Sequence, residues 1–199
     1  MTSTSSVEFN GQVVVISGAA TGIGKASAQL IAARGATVVA LDFNAAALTD
    51  LSKELSLAAN QSHVCDISNQ DQIDKAISAI LKDHGKIDAL INTAGIVGPS
   101  NTQLEDVRWA DFEKVLQVNL YGAIWLTQAV IPAMKAKKYG RIVHLGDLGT
   151  FQLGVKSTGS ATSEEVNTTS VTKARLNFRP GEELKKMMNN LSYRKAAAN

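Results

Sequence analysis

The sequence predicts an α/β fold in which a parallel sheet is covered by helices on both faces. Five short apolar runs, rich in β-branched residues, alternate between residues 13 and 145 with longer segments whose apolar residues have helical spacing. Runs that are apolar at nearly every position are typical of strands buried on both faces. Because helices connect successive runs, we expect right-handed crossovers between parallel strands.

The elements follow in order along the chain. The predicted strands lie at residues 13–16, 36–41, 62–65, 87–91 and 140–145. Helical segments follow the first four runs, and the last begins at Trp109 or Asp111 and reaches about Lys138. Ser68 is a plausible N-cap for the third helix. The broad apolar stripe of the 109–138 helix predicts a partner surface as well as burial, so a homo-oligomer is possible through this helix.

Composition excludes several function classes. The 199 residues are 45% hydrophobic and 19% charged, with one cysteine and a net charge of +2. This balance gives no argument for nucleic acid or a membrane, and a lone Cys65 cannot form an intramolecular disulfide. His63 and His84 have no partner at metal-ligand spacing, so we predict no metal. The first ten residues lack the features of a secretory signal and are expected to be flexible. We therefore expect a soluble, cytoplasmic protein.

The stretch VVVISGAATGIG at residues 13–24 joins a buried strand to a helix through a glycine turn. In a dinucleotide site, Gly18 would permit the tight turn and Gly22 would let the backbone approach the pyrophosphate. Gly24 would let the helix pack closely on the strand, and the helix N-terminus would face the phosphates. The alternative is a tight strand-to-helix connection that binds nothing.

Asp42 ends the second strand, 18 residues after Gly24. A dinucleotide site has an acid near this spacing, which accepts hydrogen bonds from the adenosine ribose hydroxyls. A carboxylate there also repels a 2′-phosphate, so it favours NAD over NADP. The alternative is that Asp42 caps the next helix, although Asn44 could do so equally well.

The Gly-x-x-x-Gly-x-Gly spacing after Ser17 resembles the Thr-Gly-x-x-x-Gly-Ile-Gly turn of the short-chain dehydrogenase/reductase family. Asp66-Ile67, after the third strand, and Asn92-Thr93-Ala94-Gly95, after the fourth, also resemble elements of this family, with Thr93 replacing a second asparagine. The resemblance implies a Rossmann-like, doubly wound parallel sheet in three α/β/α layers. It implies the strand order 3-2-1-4-5, with the later strands missing or altered.

The family resemblance assigns roles to further residues. Asp66 would contact the adenine amino group and Ile67 would pack against the base, unless both are loop residues without a ligand. Asn119, at the family's helix asparagine, would hold a water of the proton relay, unless it only faces solvent. The cofactor-binding set implied by the resemblance is Gly18, Thr21, Gly22, Ile23, Gly24, Asp42, Phe43, Asp66, Ile67, Asn92, Ala94, Gly95 and Lys173.

The catalytic positions depart from the family pattern. Asp147 stands where the family has the serine that polarises the substrate carbonyl, and Thr169 stands at the tyrosine of Tyr-x-x-x-Lys; only Lys173 is in place. A threonine hydroxyl is a far weaker acid than a phenol, and losing a general acid costs about 10²–10⁴ in rate. Asp147 would bring negative charge where a hydrogen-bond donor is needed.

We expect an NAD-binding domain at residues 11–150, with residues 151–199 as a divergent loop and C-terminal segment packing on it. Residues 151–169 read as a mobile loop. Three functional interpretations follow. One is an NAD-dependent oxidoreductase, impaired by the changes at Asp147 and Thr169, that acts on a small-molecule alcohol or carbonyl compound. Another is a catalytically silent nucleotide-binding or regulatory protein. The third is a truncated or altered family member with an open sheet edge.

Overall fold

The computed structural model of the chain describes residues 8–99, 103–146, 149–157 and 171–180. The chain divides after His144 into two compact units. The strands of the first unit are β1 Val13–Ser17, β2 Thr37–Asp42, β3 Ser62–Val64, β4 Ala89–Asn92 and the start of β5 Arg141–Gly146. Its main helices are α1 Gly22–Ala33, α2 Ala45–Glu54, α3 Gln70–His84, α4 Trp109–Leu116, a π-helix Gln117–Gly122 and α5 Ala123–Ala136.

The first five strands are parallel and lie in the order β3-β2-β1-β4-β5, which confirms the predicted order. Their register brings polar residues together where the strands end. Ser17 of β1 is level with Asn92 of β4, and Asn92 is level with His144 of β5. We call this the carboxyl end of the sheet, and the opposite one the amino end.

The core has two layers because the central strands β1 and β2 are buried on both faces. In β1, Val13 and Val15 belong to the cluster that α3 and α5 complete, whereas Val14 and Ile16 belong to the cluster that α1 and α2 complete. Successive side chains of a strand point to opposite faces, so an unbroken apolar run serves both layers. The three-layer α/β/α arrangement is thereby confirmed.

One local prediction about helices is confirmed with an addition, and another was wrong. The helix expected over 109–138 runs without a break from Trp109 to Ala136, but its middle part, Gln117–Gly122, is a π-helix between α4 and α5. The N-cap of α3 is Asn69, whose side chain accepts the N–H of Gln72 at 3.1 Å, and not Ser68. Ser68 instead donates its N–H and its hydroxyl to Asp66, in a local turn that uses up its capping group.

The described part of the second unit is an antiparallel pair, β6 Gly149–Ser157 and β7 Val171–Pro180, with Leu153 level with Leu176. Residues 151–157, expected as loop, are therefore strand. Apolar Phe151, Leu153 and Val155 alternate with other residues, which is the strand period, but the polar composition of the segment obscures it. Asp147 and the rest of the expected loop, from 158 to Thr169, lie outside the described residues.

Candidate active site

The glycine turn between β1 and α1 depends on two close backbone approaches. A Cβ on Gly18 would lie 2.7 Å from the backbone nitrogen of Ala94, and one on Gly24 would lie 1.9 Å from the carbonyl oxygen of Gly18. Gly22 differs, since a Cβ there would meet nothing within 4 Å, although its φ of +53° favours glycine. The space beside Gly22 is open, so a phosphate can approach the backbone there.

The N-terminus of α1 offers unpaired donors beside this open space. The first intrahelical hydrogen bond runs from the N–H of Lys25 to the carbonyl of Thr21 at 3.0 Å, so the N–H groups of Gly22, Ile23 and Gly24 precede it. The Thr21 hydroxyl makes no capping hydrogen bond, and the first turn has no acidic side chain. Thr21 and Ile23 are exposed. These donors and the partial positive charge of the helix end suit an anion.

Asp42 ties the end of β2 to the glycine turn. Its side chain is buried, and its Oδ2 accepts the N–H of Ala20 at 2.9 Å while its Oδ1 accepts the N–H of Asn44 at 2.9 Å. The cap of α2 is Asn44, whose side chain accepts the N–H of Ala47, so Asp42 is not the cap. Each carboxylate oxygen keeps capacity for a further hydrogen bond. The neighbouring Phe43 is exposed.

Asp66 and Ile67 follow β3 at the same end of the sheet. Asp66 is exposed, and its Oδ1 accepts the N–H and the hydroxyl of Ser68. Ile67 is buried in the core, and a Cβ on Gly122 would lie 2.7 Å from its carbonyl oxygen. The Ile67 side chain therefore packs beneath the π-helix, and its packing against a base stays a prediction.

The turn after β4 is bonded to the glycine turn. Asn92 Oδ1 accepts the hydroxyl of Ser17 and, at 3.3 Å, the N–H of Ala94. Thr93 stands where the family resemblance has a second asparagine, and its hydroxyl donates to the carbonyl of Ser17 at 2.7 Å. The substitution by threonine thus keeps a polar bond between the two turns.

Asn119 lies in the π-helix, and its amide pairs with one backbone position. Its Nδ2 donates to the carbonyl of Ile96 at 2.9 Å, and its Oδ1 accepts the N–H of Ile96 at 2.8 Å. A Cβ on Gly95 would lie 3.4 Å from Asn119 Oδ1. The asparagine therefore holds the loop after β4 rather than only facing solvent. π-Helical turns disturb the regular hydrogen-bond ladder and occur often at functional sites.

Two polar residues at this end were not recognised as site residues from the sequence. His144 Nδ1 lies 3.2 Å from Asn92 Nδ2, and its Nε2 lies 2.9 Å from the hydroxyl of Thr127 on α5. Burial lowers the pKa of His144. The available signal was a histidine at the carboxyl end of an otherwise apolar strand.

The expected catalytic positions are described only in part. Asp147 and Thr169 lie outside the described residues, and Lys173 lies in β7, level with Lys156 of β6. The backbone around Lys173 is extended from Val171 onward.

Two other classes of feature, a metal cluster and a membrane-spanning helix, are absent from the described ranges. No group of three or more His, Cys, Asp or Glu side chains there could hold a metal ion. In the same part of the chain, no helix has both the length and the apolar character needed to cross a membrane.

Comparison with known proteins identifies the family to which this chain belongs. A family model for short chain dehydrogenase matches residues 12–162. The 3-oxoacyl-(acyl-carrier-protein) reductase FabG of Thermotoga maritima is 35% identical over 144 residues, which are 71% of this chain and 58% of that protein. Momilactone A synthase of Oryza sativa subsp. japonica is 32% identical over 154 residues, which are 77% of this chain and 56% of that protein.

Solved structures show the same fold. NAD+-bound xylitol dehydrogenase matches with a TM-score of 0.63 and 34% identity, over 69% of this chain and 53% of that one. Levodione reductase matches with a TM-score of 0.65 and 29% identity, over 71% of this chain and 56% of that one. The chain spans a little over half the length of these relatives. Since the family model matches most of the chain and the sheet has the expected strand order, the chain belongs to the short-chain dehydrogenase/reductase family.

Proposed function

We propose that this chain is an NAD(H)-dependent oxidoreductase that transfers hydride between a small-molecule alcohol and a ketone or aldehyde. The observation that carries the proposal is the buried Asp42 carboxylate, bonded to Ala20 of the glycine turn. It provides an acceptor for ribose hydroxyls beside an open, donor-rich helix end. The chain's membership of an oxidoreductase family supports the reaction class.

The residues present fit a dinucleotide. Gly22 leaves open space for the pyrophosphate, and the N-terminus of α1 supplies N–H donors. Phe43 and Asp66 border the adenosine side, and Asn92, Ala94 and Gly95 border the nicotinamide side. The bound nicotinamide would supply or accept the hydride. NAD+ in the xylitol dehydrogenase structure supports this cofactor class for a protein of similar fold.

We infer a preference for NAD over NADP from charge. A 2′-phosphate carries a charge of about −1.5 to −2 near neutral pH, and Asp42 would place a carboxylate beside it. Among the ion pairs of the described residues, none gives Asp42 a cation that would neutralise it. The ribose hydroxyls of NAD instead donate hydrogen bonds, which a carboxylate accepts well.

Catalysis by this chain is proposed to be weak. Asn119 holds the loop beside the site and Lys173 would bind the nicotinamide ribose, but Thr169 cannot replace a phenol as proton donor. Asp147 would repel charge developing on the substrate oxygen. Replacing Thr169 with Tyr and Asp147 with Ser should then raise turnover by about 10²-fold or more.

A catalytically silent nucleotide-binding protein is the second candidate. The observation that favours it is the extended backbone of β7 at Lys173, because side chains four residues apart are neighbours on a helix and Lys173 does not lie on one. If the double variant at positions 147 and 169 binds NADH but reduces no carbonyl compound, this second candidate is the better one.

The deciding experiment for cofactor binding is a fluorescence titration with NADH and, separately, with NADPH. Trp109 and Trp125 serve as energy donors to the nicotinamide. We expect saturable NADH binding, with NADPH at least about tenfold weaker, which corresponds to about 1.4 kcal/mol. Binding of neither nucleotide overturns the proposed function, and equal binding of both overturns the role of Asp42.

A partner surface and a location belong to the same proposal. Apolar side chains of α4, the π-helix and α5 are exposed on the described chain, and they suit contact with a second copy: Trp109, Phe112, Leu120, Tyr121 and Ile124. Sedimentation analysis tests this homo-oligomer. A cytoplasmic location is proposed from the composition and the free, buried thiol of Cys65.

A further inference from the structure

A chain of hydrogen bonds crosses the carboxyl end of the sheet, and Asn92 lies at its centre. Asn92 Oδ1 accepts from the Ser17 hydroxyl and from the Ala94 N–H. Its other amide atom is therefore Nδ2, which can only donate. Nδ2 lies 3.2 Å from His144 Nδ1, so that ring nitrogen must be the acceptor.

On the other side of the His144 ring, Nε2 must be the hydrogen-bond donor. Thr127 donates its hydroxyl proton to the carbonyl of Ala123 at 2.8 Å, one turn earlier in α5. Its oxygen is then the acceptor for His144 Nε2 at 2.9 Å. One form of the imidazole satisfies every bond in the chain, namely the neutral ring with its proton on Nε2.

We propose that neutral His144 is a positioning residue, which orients the Asn92 amide so that Asn92 holds the Ala94 turn against the glycine turn. Protonation of His144 would break this arrangement. The assignment of this turn to the nicotinamide side rests on the proposed function, but the hydrogen-bond chain itself does not.

A second proton on the ring would place two hydrogen-bond donors opposite each other. Protonated Nδ1 would point at the Asn92 amide hydrogens at 3.2 Å, with no acceptor between them. If the Asn92 amide turned over to offer its oxygen, its NH2 group would face the N–H of Ala94, again donor to donor. In either case one buried hydrogen bond is lost. The bond from the Ala94 N–H to Asn92 is the one whose loss would affect a ligand bound at this turn.

Among the described residues, the elements around the ring offer no negative charge to stabilise its protonated form. Neither β1, β4, β5, α5 nor the π-helix has an acidic side chain in the described structure. Their titratable side chains are Arg141, on the opposite face of β5 by strand alternation, Lys135, two turns beyond Thr127, and Tyr121 of the π-helix. Burial also lowers the pKa of His144, so the ring is neutral near pH 7.

The test is NMR of the full chain labelled with 15N and 13C, because imidazole nitrogen shifts distinguish the two neutral tautomers. We expect the Nε2–H form at pH 7.5. On lowering the pH toward 5, the Ala94 amide signal should move with the same midpoint as His144. The opposite tautomer, or an Ala94 signal that ignores the titration of His144, overturns the proposal. This readout needs neither a variant nor a cofactor, so it remains valid if NADH does not bind.

Variants sharpen the test. His144→Gln keeps an acceptor for Asn92 but cannot take up a proton, so its Ala94 signal should become independent of pH. His144→Leu removes the acceptor and should shift Ala94 already at pH 7.5. In wild type, NADH affinity should fall about fivefold as His144 protonates, the effect of one net hydrogen bond, whereas His144→Gln should stay constant.

His63→Gln is the matched control, because it also replaces an imidazole, but one that bonds to the carbonyl of Asn60. It should leave the pH dependence of Ala94 and of NADH affinity as in wild type. If His144→Gln and wild type show the same pH dependence at Ala94, the role of His144 is overturned.

Discussion

Two buried aspartates lie at opposite ends of the same sheet and use their charge differently. Asp42, at the carboxyl end, is 6% exposed, and Asp88, at the amino end, is 5% exposed. Both accept a backbone N–H from a neighbouring segment, Asp42 from Ala20 and Asp88 from Val13 at 2.8 Å. In burial and in backbone bonding the two residues are therefore nearly alike.

The two aspartates differ in the cations that lie beside them. Asp88 lies 2.8 Å from Lys86 Nζ and 3.5 Å from Lys137 Nζ. Burial alone would raise the pKa of Asp88, but the hydrogen bonds and charges of its partners outweigh this and lower it. Asp42 has no ion pair among those of the described residues. The charge at the amino end is thus neutralised within the protein, and the charge at the carboxyl end remains available to a ligand.

The largest expected effect is at the amino end. Asp88→Asn removes the anion between Lys86 and Lys137, and we expect the free energy of unfolding to fall by about 3 kcal/mol in a urea titration at pH 7. NADH affinity should not change. Asp74→Asn, on the exposed face of α3, is the control and should stay within about 0.5 kcal/mol of wild type. Equal stabilities of the two variants would show that Asp88 is not a structural ion pair.

The same variant has a defined pH dependence. Because the folded-state pKa of Asp88 is lowered, its contribution to stability is present above the ordinary carboxyl value of about 3.9. This contribution is lost as the pH falls through the folded-state pKa. Wild type should therefore lose its advantage over Asp88→Asn below about pH 4, as measured by thermal unfolding.

Gly24→Ala should damage the carboxyl end by steric overlap. A Cβ there would lie 1.9 Å from the Gly18 carbonyl oxygen and 2.5 Å from the Thr93 hydroxyl, so the backbone must shift. We expect the free energy of unfolding to fall by about 2 kcal/mol, and NADH affinity to fall as well. Gly85→Ala is the control, since a Cβ there meets nothing within 4 Å and only its φ of +70° is strained. Retained NADH binding in Gly24→Ala would show that the glycine turn can widen without loss of the cofactor site.

Asp42→Asn should change cofactor choice more than stability. The amide can satisfy only one of the N–H groups of Ala20 and Asn44, and it no longer repels a 2′-phosphate. We expect NADH to bind about tenfold more weakly and the preference over NADPH to shrink, at a cost of about 1 kcal/mol in stability. The exposed Asp50→Asn on α2 is the control. An unchanged ratio of the two affinities would remove Asp42 from the cofactor site.

The smallest expected effect concerns Cys65, whose N–H donates to the carbonyl of Asp42 at 2.9 Å. Burial, with a smaller contribution from Asp66, raises the pKa of the Cys65 thiol to about 11. At pH 8 the native protein should therefore not react with a thiol reagent, and the labelling rate should follow global unfolding in urea. Labelling much faster than global unfolding would show that the carboxyl end opens locally.

The sequence predicted the parts of the fold that depend on two-sided burial. Uniformly apolar runs such as residues 13–16 leave little choice but a central strand, so the five strands and their helices were found. The π-helix was not predicted, because the bonds of Asn119 to Ile96 and the close packing of Gly122 on Ile67 come from distant parts of the chain. Strand β6 was missed because its alternation is diluted by polar residues.

Local motifs were therefore determined by the sequence alone: the glycine turn, the position of Asp42 at a strand end, and the Asn92 turn each lie within one strand-to-helix connection. Only the tertiary structure decided what these groups bond to. The register of parallel strands brings Ser17, Asn92 and His144 level, and the C-terminal end of α5 brings Lys137 to Asp88. Backbone preferences act over a few residues, whereas these bonds join residues that are far apart in the chain.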